Sequence, residues 1–164
     1  MVGRTHKKSK YRRKGQSLIA AHKIKPEQWQ ISDTEAKEAL KAEGWNVKEI
    51  KKIHCLKHQI CISYWDQKGN VCSGFFSYRI FKRWQTEVEK LICCCQNPKE
   101  WHMLNHIMEY EFAYYPYLQS MEDTIVNALE NRLRVLETTP QQAVLVQWGV
   151  ENYHGPRSLL TTPR

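Results

Sequence analysis

Residues 59–66 and 71–78 are two short runs rich in β-branched and aromatic side chains, separated by Gln67-Lys68-Gly69-Asn70. Such runs around a four-residue loop containing glycine read as a β-hairpin. Gly69 reaches positive φ without steric cost, so the loop suits a type I turn closed by a glycine bulge. Asp66 then faces Asn70, and Tyr64–Cys72, Ile62–Gly74 and Ile60–Phe76 stand opposite each other behind it. Side chains alternate along a strand, which puts Cys61, Ser63, Trp65, Val71, Ser73 and Phe75 together on the other face. A chain with this hairpin in its middle has a sheet to cover, and the neighbouring segments are expected to cover it.

The period changes to 3.6 from Arg79 onwards. Ile80, Phe81, Trp84, Val88, Leu91, Ile92 and Cys95 line one stripe, predicting a long amphipathic helix over residues 79–95. Upstream, Ser32 followed by Glu35 is a capping-box pattern that opens a short alanine-rich helix over 33–43, with Gly44 placed to end it. Residues 46–58 are ambiguous: Val47, Ile50 and Ile53 have helical spacing, whereas Ile53 and Cys55 alternate as in a strand. A third strand is the expectation.

Downstream, Asn97-Pro98 starts a helix to about Tyr115. Trp101, Leu104, Met108, Phe112 and Tyr115 form one apolar stripe on it; Met103, Ile107, Tyr110 and Tyr114 form a second. Ser120 is placed to cap a further helix, with Asp123 at its third position and Met121, Ile125, Leu129, Leu133 and Leu136 on its stripe. Thr139-Pro140 precedes a short element over 143–148. The fold class expected is α+β: a small antiparallel sheet centred on a β-hairpin, packed by three long helices. The organisation expected is a disordered basic tail (1–16), one α+β domain (17–152) and a loose C-terminal tail (153–164).

Charge is distributed unevenly. Arg4, Lys7, Lys8, Lys10, Arg12, Arg13 and Lys14 fall within residues 1–16, which hold no acidic residue. The remaining 148 residues carry 18 basic and 17 acidic side chains, so the body is nearly neutral. A Lys/Arg cluster neutralises phosphates and releases counterions, which drives sequence-independent binding to DNA or RNA. Lys48, Lys51, Lys52, Arg79, Lys82 and Arg83 extend the candidate footprint onto the body. No apolar run approaches the ~20 residues of a bilayer-crossing helix. Only Leu18-Ile19-Ala20-Ala21 follows the basic terminus, so a cytoplasmic protein without membrane association is expected.

Trp65 and Phe75 are candidate base-stacking residues, because aromatics on an open sheet stack on unpaired bases. The competing reading has the third long helix covering that face, with both rings in the core. A complement of three helices favours covering.

Metal chemistry has weaker support. His102, His106 and Glu109 share one helical stripe, but no Glu follows His102 as the zinc-protease pattern requires. His54, Cys55, His58 and Cys61, with Cys72 further on, lack a second ligand pair at a conventional distance. No Mg²⁺ motif unites Asp66, Glu109, Glu111, Glu122 and Asp123. The six cysteines lack a disulfide framework and are assigned to packing, with Cys95 in the core and Cys93 exposed.

The function expected is therefore non-enzymatic nucleic-acid binding, with no metal or cofactor. The alternative is a protein-interaction or assembly subunit, docking a partner or a second copy through the aromatic helix 98–115. A metal-dependent enzyme is the third reading.

Overall fold

The computed structural model describes residues 15–138. The basic tail up to Lys14, the 143–148 element and the 153–164 segment lie outside the described residues. In chain order, a turn of 3₁₀ helix (Pro26–Gln28) leads to α1 (Asp33–Ala42), then strands β1 (Val47–Cys55), β2 (Ile60–Asp66) and β3 (Val71–Phe76). A second 3₁₀ turn (Tyr78–Ile80) and helices α2 (Lys82–Cys94), α3 (Pro98–Tyr114) and α4 (Gln119–Thr138) follow. The architecture is α+β, with an antiparallel sheet of order β1-β2-β3.

The hairpin forms in the expected register, with Ile60 opposite Phe76, Ile62 opposite Gly74 and Tyr64 opposite Cys72. Its loop closes through the Asp66 N–H to the Asn70 carbonyl (2.9 Å), and Gly69 sits at φ +82°. The Asp66 carboxylate accepts from the Lys68 and Asn70 backbone N–H groups, both at 2.8 Å.

Residues 47–55 form the third strand, and two irregularities explain their misleading spacing. Register shifts between Val47 and Glu49 and between Ile50 and Lys52 each add a residue. A bulge resets the alternation, so Val47 and Ile50 are buried and Ile53 packs against the core although each is three residues from the next. Helical spacing was thus carried by a bulged strand.

The inner face of the sheet presents Val47, Ile50, Ile60, Ile62 and Tyr64 to the core. α1 packs on β1 and contributes Ala36, Ala39 and Leu40 to the same core. Ser32 caps α1 by accepting the Glu35 N–H, and Gly44 follows it at φ +88°. Trp29, Tyr78 and Trp84 meet edge-to-face, with centroids 5.6 and 6.3 Å apart, and join the sheet core to the helices.

Two helix starts differ from expectation. Residues 79–95 do not form one helix: Phe81 is extended (φ −89°, ψ 138°) and separates the 3₁₀ turn from α2. That break turns Arg79 into the core. Ser120 does not cap α4, which begins one residue earlier, at Gln119. The Leu118 carbonyl accepts the Met121 and Glu122 N–H groups, and Ser120 lies within the first turn.

α4 does not cover the outer face of the hairpin. It packs against α2 and α3 instead. Trp101 Nε1 donates to the Leu129 carbonyl at 2.9 Å, and the Arg132 guanidinium donates to the Cys95 carbonyl. The leucine stripe of α4 is consumed by its neighbouring helices, and α4 does not supply the expected cover for Trp65 and Phe75.

Candidate nucleic-acid interface

The outer face of the sheet is built from alternate residues of three strands. Cys61, Ser63 and Trp65 of β2 stand opposite Phe75, Ser73 and Val71 of β3. On the other side of β2, His54 faces Cys61, Lys52 faces Ser63 and Glu49 faces Trp65. Ser63 and Ser73 share a hydroxyl–hydroxyl hydrogen bond of 2.8 Å at the middle of the face. Phe75 is 63% exposed, Val71 46% and Trp65 36%. These rings and the valine lie on solvent, contrary to the core reading.

A cation stands beside the larger ring: Lys51 Nζ lies 5.4 Å from the Trp65 centroid. Lys48 and Lys52 are exposed on the same strand. Trp65 pairs with Val71, and Phe75 is four residues further along β3, so the two aromatic positions are about 13 Å apart along the strand. The surface is a shallow strip with an aromatic near each end, hydroxyls between them and lysines along one side. Glu49 is its acidic member.

The basic residues assigned to the body separate into groups. Lys51 and Lys52 flank the aromatic strip. Lys82 is exposed at the start of α2, where its ammonium donates to Gln85. Arg83 is held by a bidentate pair with Glu35 of α1 (2.9 Å to each oxygen) and lies over the Trp29 ring. A groove of about 280 Å³ beside them is lined by Glu35, Glu38, Lys82, Gln85 and Met121 among others. Its two carboxylates have the wrong sign for a polyanion.

Arg79 is not a surface residue. It is 2% exposed and forms a bidentate pair with Glu111, from Nε to Oε2 at 2.6 Å and from Nη2 to Oε1 at 2.7 Å. The Tyr115 and Trp84 rings lie 3.6 and 4.6 Å from its guanidinium carbon. Burial is the largest single influence on the Arg79 pKa and lowers it. The hydrogen bonds and the charge of Glu111, with smaller contributions from Tyr117 and Tyr115, together outweigh it, and the net shift is upward. Glu111 also accepts the Leu18 N–H at 2.7 Å and the Tyr117 hydroxyl at 3.0 Å. Tyr117 in turn accepts from Trp84 Nε1.

Reading from sequence grouped Glu111 with acidic residues that lack a motif and missed this role. A signal was present: Glu111 follows Leu104 and Met108 at helical spacing on the buried stripe of α3, where a charge requires a partner.

The other candidate ligands do not converge. His54 and Cys61 face each other on the outer surface, whereas the Cys55 thiol donates to the Trp29 carbonyl on the core side. His102 and His106 are exposed on α3, and His106 Nδ1 is 3.8 Å from Glu109. Among the described residues, no three His, Cys, Asp or Glu side chains cluster as a metal site. Burial pushes the Cys55 and Cys95 thiols up, which disfavours a reactive thiolate at either. Cys93 and Cys94 are exposed. No helix among the described residues is long and apolar enough to cross a membrane.

Comparison of the chain with protein-family models, curated proteins and solved structures finds no match.

Proposed function

We propose that the protein binds single-stranded nucleic acid, with bases stacked on the outer face of the sheet and the Lys/Arg tail held on the phosphates. The observation that carries this reading is the exposure of Trp65 and Phe75 on a sheet face that no described helix covers, with Lys51 beside one ring. A duplex hides the faces of its bases, whereas a single strand offers them to a flat aromatic strip. The flatness of this strip suits sequence-tolerant stacking better than readout of base edges. On the body, Lys51 and Lys52 supply the positive charge, and Arg79 and Arg83 are engaged elsewhere.

The test is fluorescence anisotropy of a labelled uridine oligonucleotide across a salt series. Each stack contributes ~1–3 kcal/mol, so Trp65→Ala and Phe75→Ala should each weaken binding by roughly 5- to 150-fold. Neither should alter the salt slope. Removing residues 1–14 should instead flatten that slope. Seven cationic side chains on a single strand account for at most about −5 in log K against log salt. Parent affinity in the Trp65→Ala, Phe75→Ala double variant would overturn the stacking role. An unchanged slope in the truncated chain would remove the tail.

A second reading has one observation in its favour. Met103 is 60% exposed on α3 and begins the stripe continued by Ile107 and Tyr110, so a protein partner docking there is the alternative. The stripe is already partly used, since Gly15 packs directly on the Tyr110 ring.

A further inference from the structure

The two edge strands of the sheet are built differently. β1 carries Lys48, Glu49, Lys51, Lys52 and His54, together with two register shifts. Charges and bulges of this kind discourage addition of another strand. β3 has neither: Val71–Phe76 contains no charged residue and no proline, and its register against β2 is unbroken.

The phase of the ladder fixes which groups face outwards. The Asp66 N–H bonds to the Asn70 carbonyl, and antiparallel pairs alternate between bonded and non-bonded. Cys72, Gly74 and Phe76 therefore exchange their hydrogen bonds with β2. Val71, Ser73 and Phe75 turn their N–H and C=O groups towards the open edge. Among the described residues, none of these three has a backbone hydrogen bond outside the sheet.

We infer that β3 pairs antiparallel with β3 of a second copy of this chain, about a two-fold axis at Ser73. The outward groups at 71, 73 and 75 are symmetric about that residue, so each N–H in one copy meets a carbonyl of the other. This register sets Val71 opposite Phe75 of the second copy, and Phe75 opposite its Val71. The two exposed apolar side chains of the strand thus cover each other, an aromatic–aliphatic pair favoured across strands. Ser73 meets its own equivalent at the axis. On the inner face Cys72 meets Gly74, where the Phe76 ring of the same strand occupies the place of a side chain.

Charge supports the same occupant. No charged residue of β3 faces its own copy, so self-pairing carries no like-charge penalty, while β1 would place lysines against the incoming strand. At 63% exposure Phe75 leaves roughly 130 Å² of surface to bury. Two such rings and two valines fall short of the ~1,200 Å² of a stable interface. The dimer is therefore concentration-dependent. Pairing at the edge joins the two sheets into one six-stranded sheet with both outer faces on the same side, and it does not require that surface to bind nucleic acid.

Sedimentation equilibrium of the full chain, free of nucleic acid and at high salt, tests the inference. The parent should show a reversible monomer–dimer equilibrium. Ser73→Lys and Ser73→Asp each place like charges face to face at the axis and should weaken association by at least about tenfold. An equimolar mixture of the two variants should recover a dimer, because Lys then faces Asp. Val71→Lys, clear of the Ser63 contact, should also weaken association and serves if a Ser73 variant fails to melt cooperatively. A parent that stays monomeric at every concentration overturns the inference, as does unimpaired dimerisation of Ser73→Lys or Val71→Lys. A mixture of Ser73→Lys and Ser73→Asp that remains monomeric overturns the axis. None of these outcomes depends on whether the protein binds oligonucleotide.

Discussion

Replacing Glu111 with glutamine should destabilise the domain severely, and the magnitude follows from what surrounds the carboxylate. Glu111 is fully buried and accepts four hydrogen bonds, two from Arg79 and one each from the Leu18 N–H and the Tyr117 hydroxyl. Glutamine keeps the size and one acceptor oxygen. It removes the negative charge, and its amide NH₂ points donors at groups that are themselves donors. The Arg79 guanidinium is then left buried without a counter-charge, a situation that costs roughly 3–5 kcal/mol. Domains of this size have about 5–15 kcal/mol of total stability, so the variant should still fold, with little reserve.

Urea unfolding followed by tryptophan fluorescence measures the effect, since Trp84 lies against the cluster. With an m-value near 2 kcal/mol/M, a loss of about 4 kcal/mol moves the midpoint down by roughly 2 M. Arg79→Met should cost a similar amount, because it strands the carboxylate instead. The double variant should cost less than the two single losses added together, with a coupling of about 2 kcal/mol or more. A loss below about 1 kcal/mol in either single variant would refute the reasoning. So would strict additivity. Retained stability together with loss of oligonucleotide binding in Arg79→Met would return Arg79 to the surface footprint.

Two further outcomes are expected. Trp84→Ala should cost about 3–5 kcal/mol by the same urea assay, because the ring is fully buried and donates to Tyr117; a loss under about 1 kcal/mol would contradict its place in the core. The Asp66 carboxyl is held below its ordinary value, chiefly by the Asn70 backbone N–H, so its charge favours the folded state above pH ~4 and that contribution fades as pH falls through its folded pKa; melting temperatures of parent and Asp66→Asn should converge on acidification, and a constant gap between them would exclude the turn carboxylate as the cause.

The local signals in the sequence were read correctly where one residue determines the backbone. Gly69 and Gly44 at positive φ, Ser32 and Asn97 as caps, and the hairpin register all follow from steric or hydrogen-bonding rules within a few residues. What failed was the question of which apolar stripe faces which. The outer face of the hairpin and the stripe of α4 are each compatible with burial against the other. The structure pairs α4 with α2 and α3, and no local rule encodes that choice. Arg79 was misplaced for a related reason: a lone arginine before an amphipathic helix looks like surface charge until its partner, 32 residues later, is known. Val47, Ile50 and Ile53 illustrate a third limit, since a bulge changes the apparent period without a distinctive residue to announce it.

The buried cluster and the open sheet are connected by the same packing. Arg79 reaches Glu111 because Phe81 breaks the backbone ahead of α2, and Glu111 binds the Leu18 N–H on the way into the domain. That bond fixes where the basic tail leaves the folded body: Gly15 lies on Tyr110 of α3, one residue before Glu111. The described chain therefore begins beside α3, whereas the aromatic strip belongs to the far face of the sheet from the core. Fourteen residues span at most about 50 Å when fully extended. On the proposed reading the cationic tail and the aromatic strip are separable in mechanism, one expected to set the salt dependence and the other the preference for unpaired bases. The consumption of α4 by its neighbouring helices is what leaves the second element available.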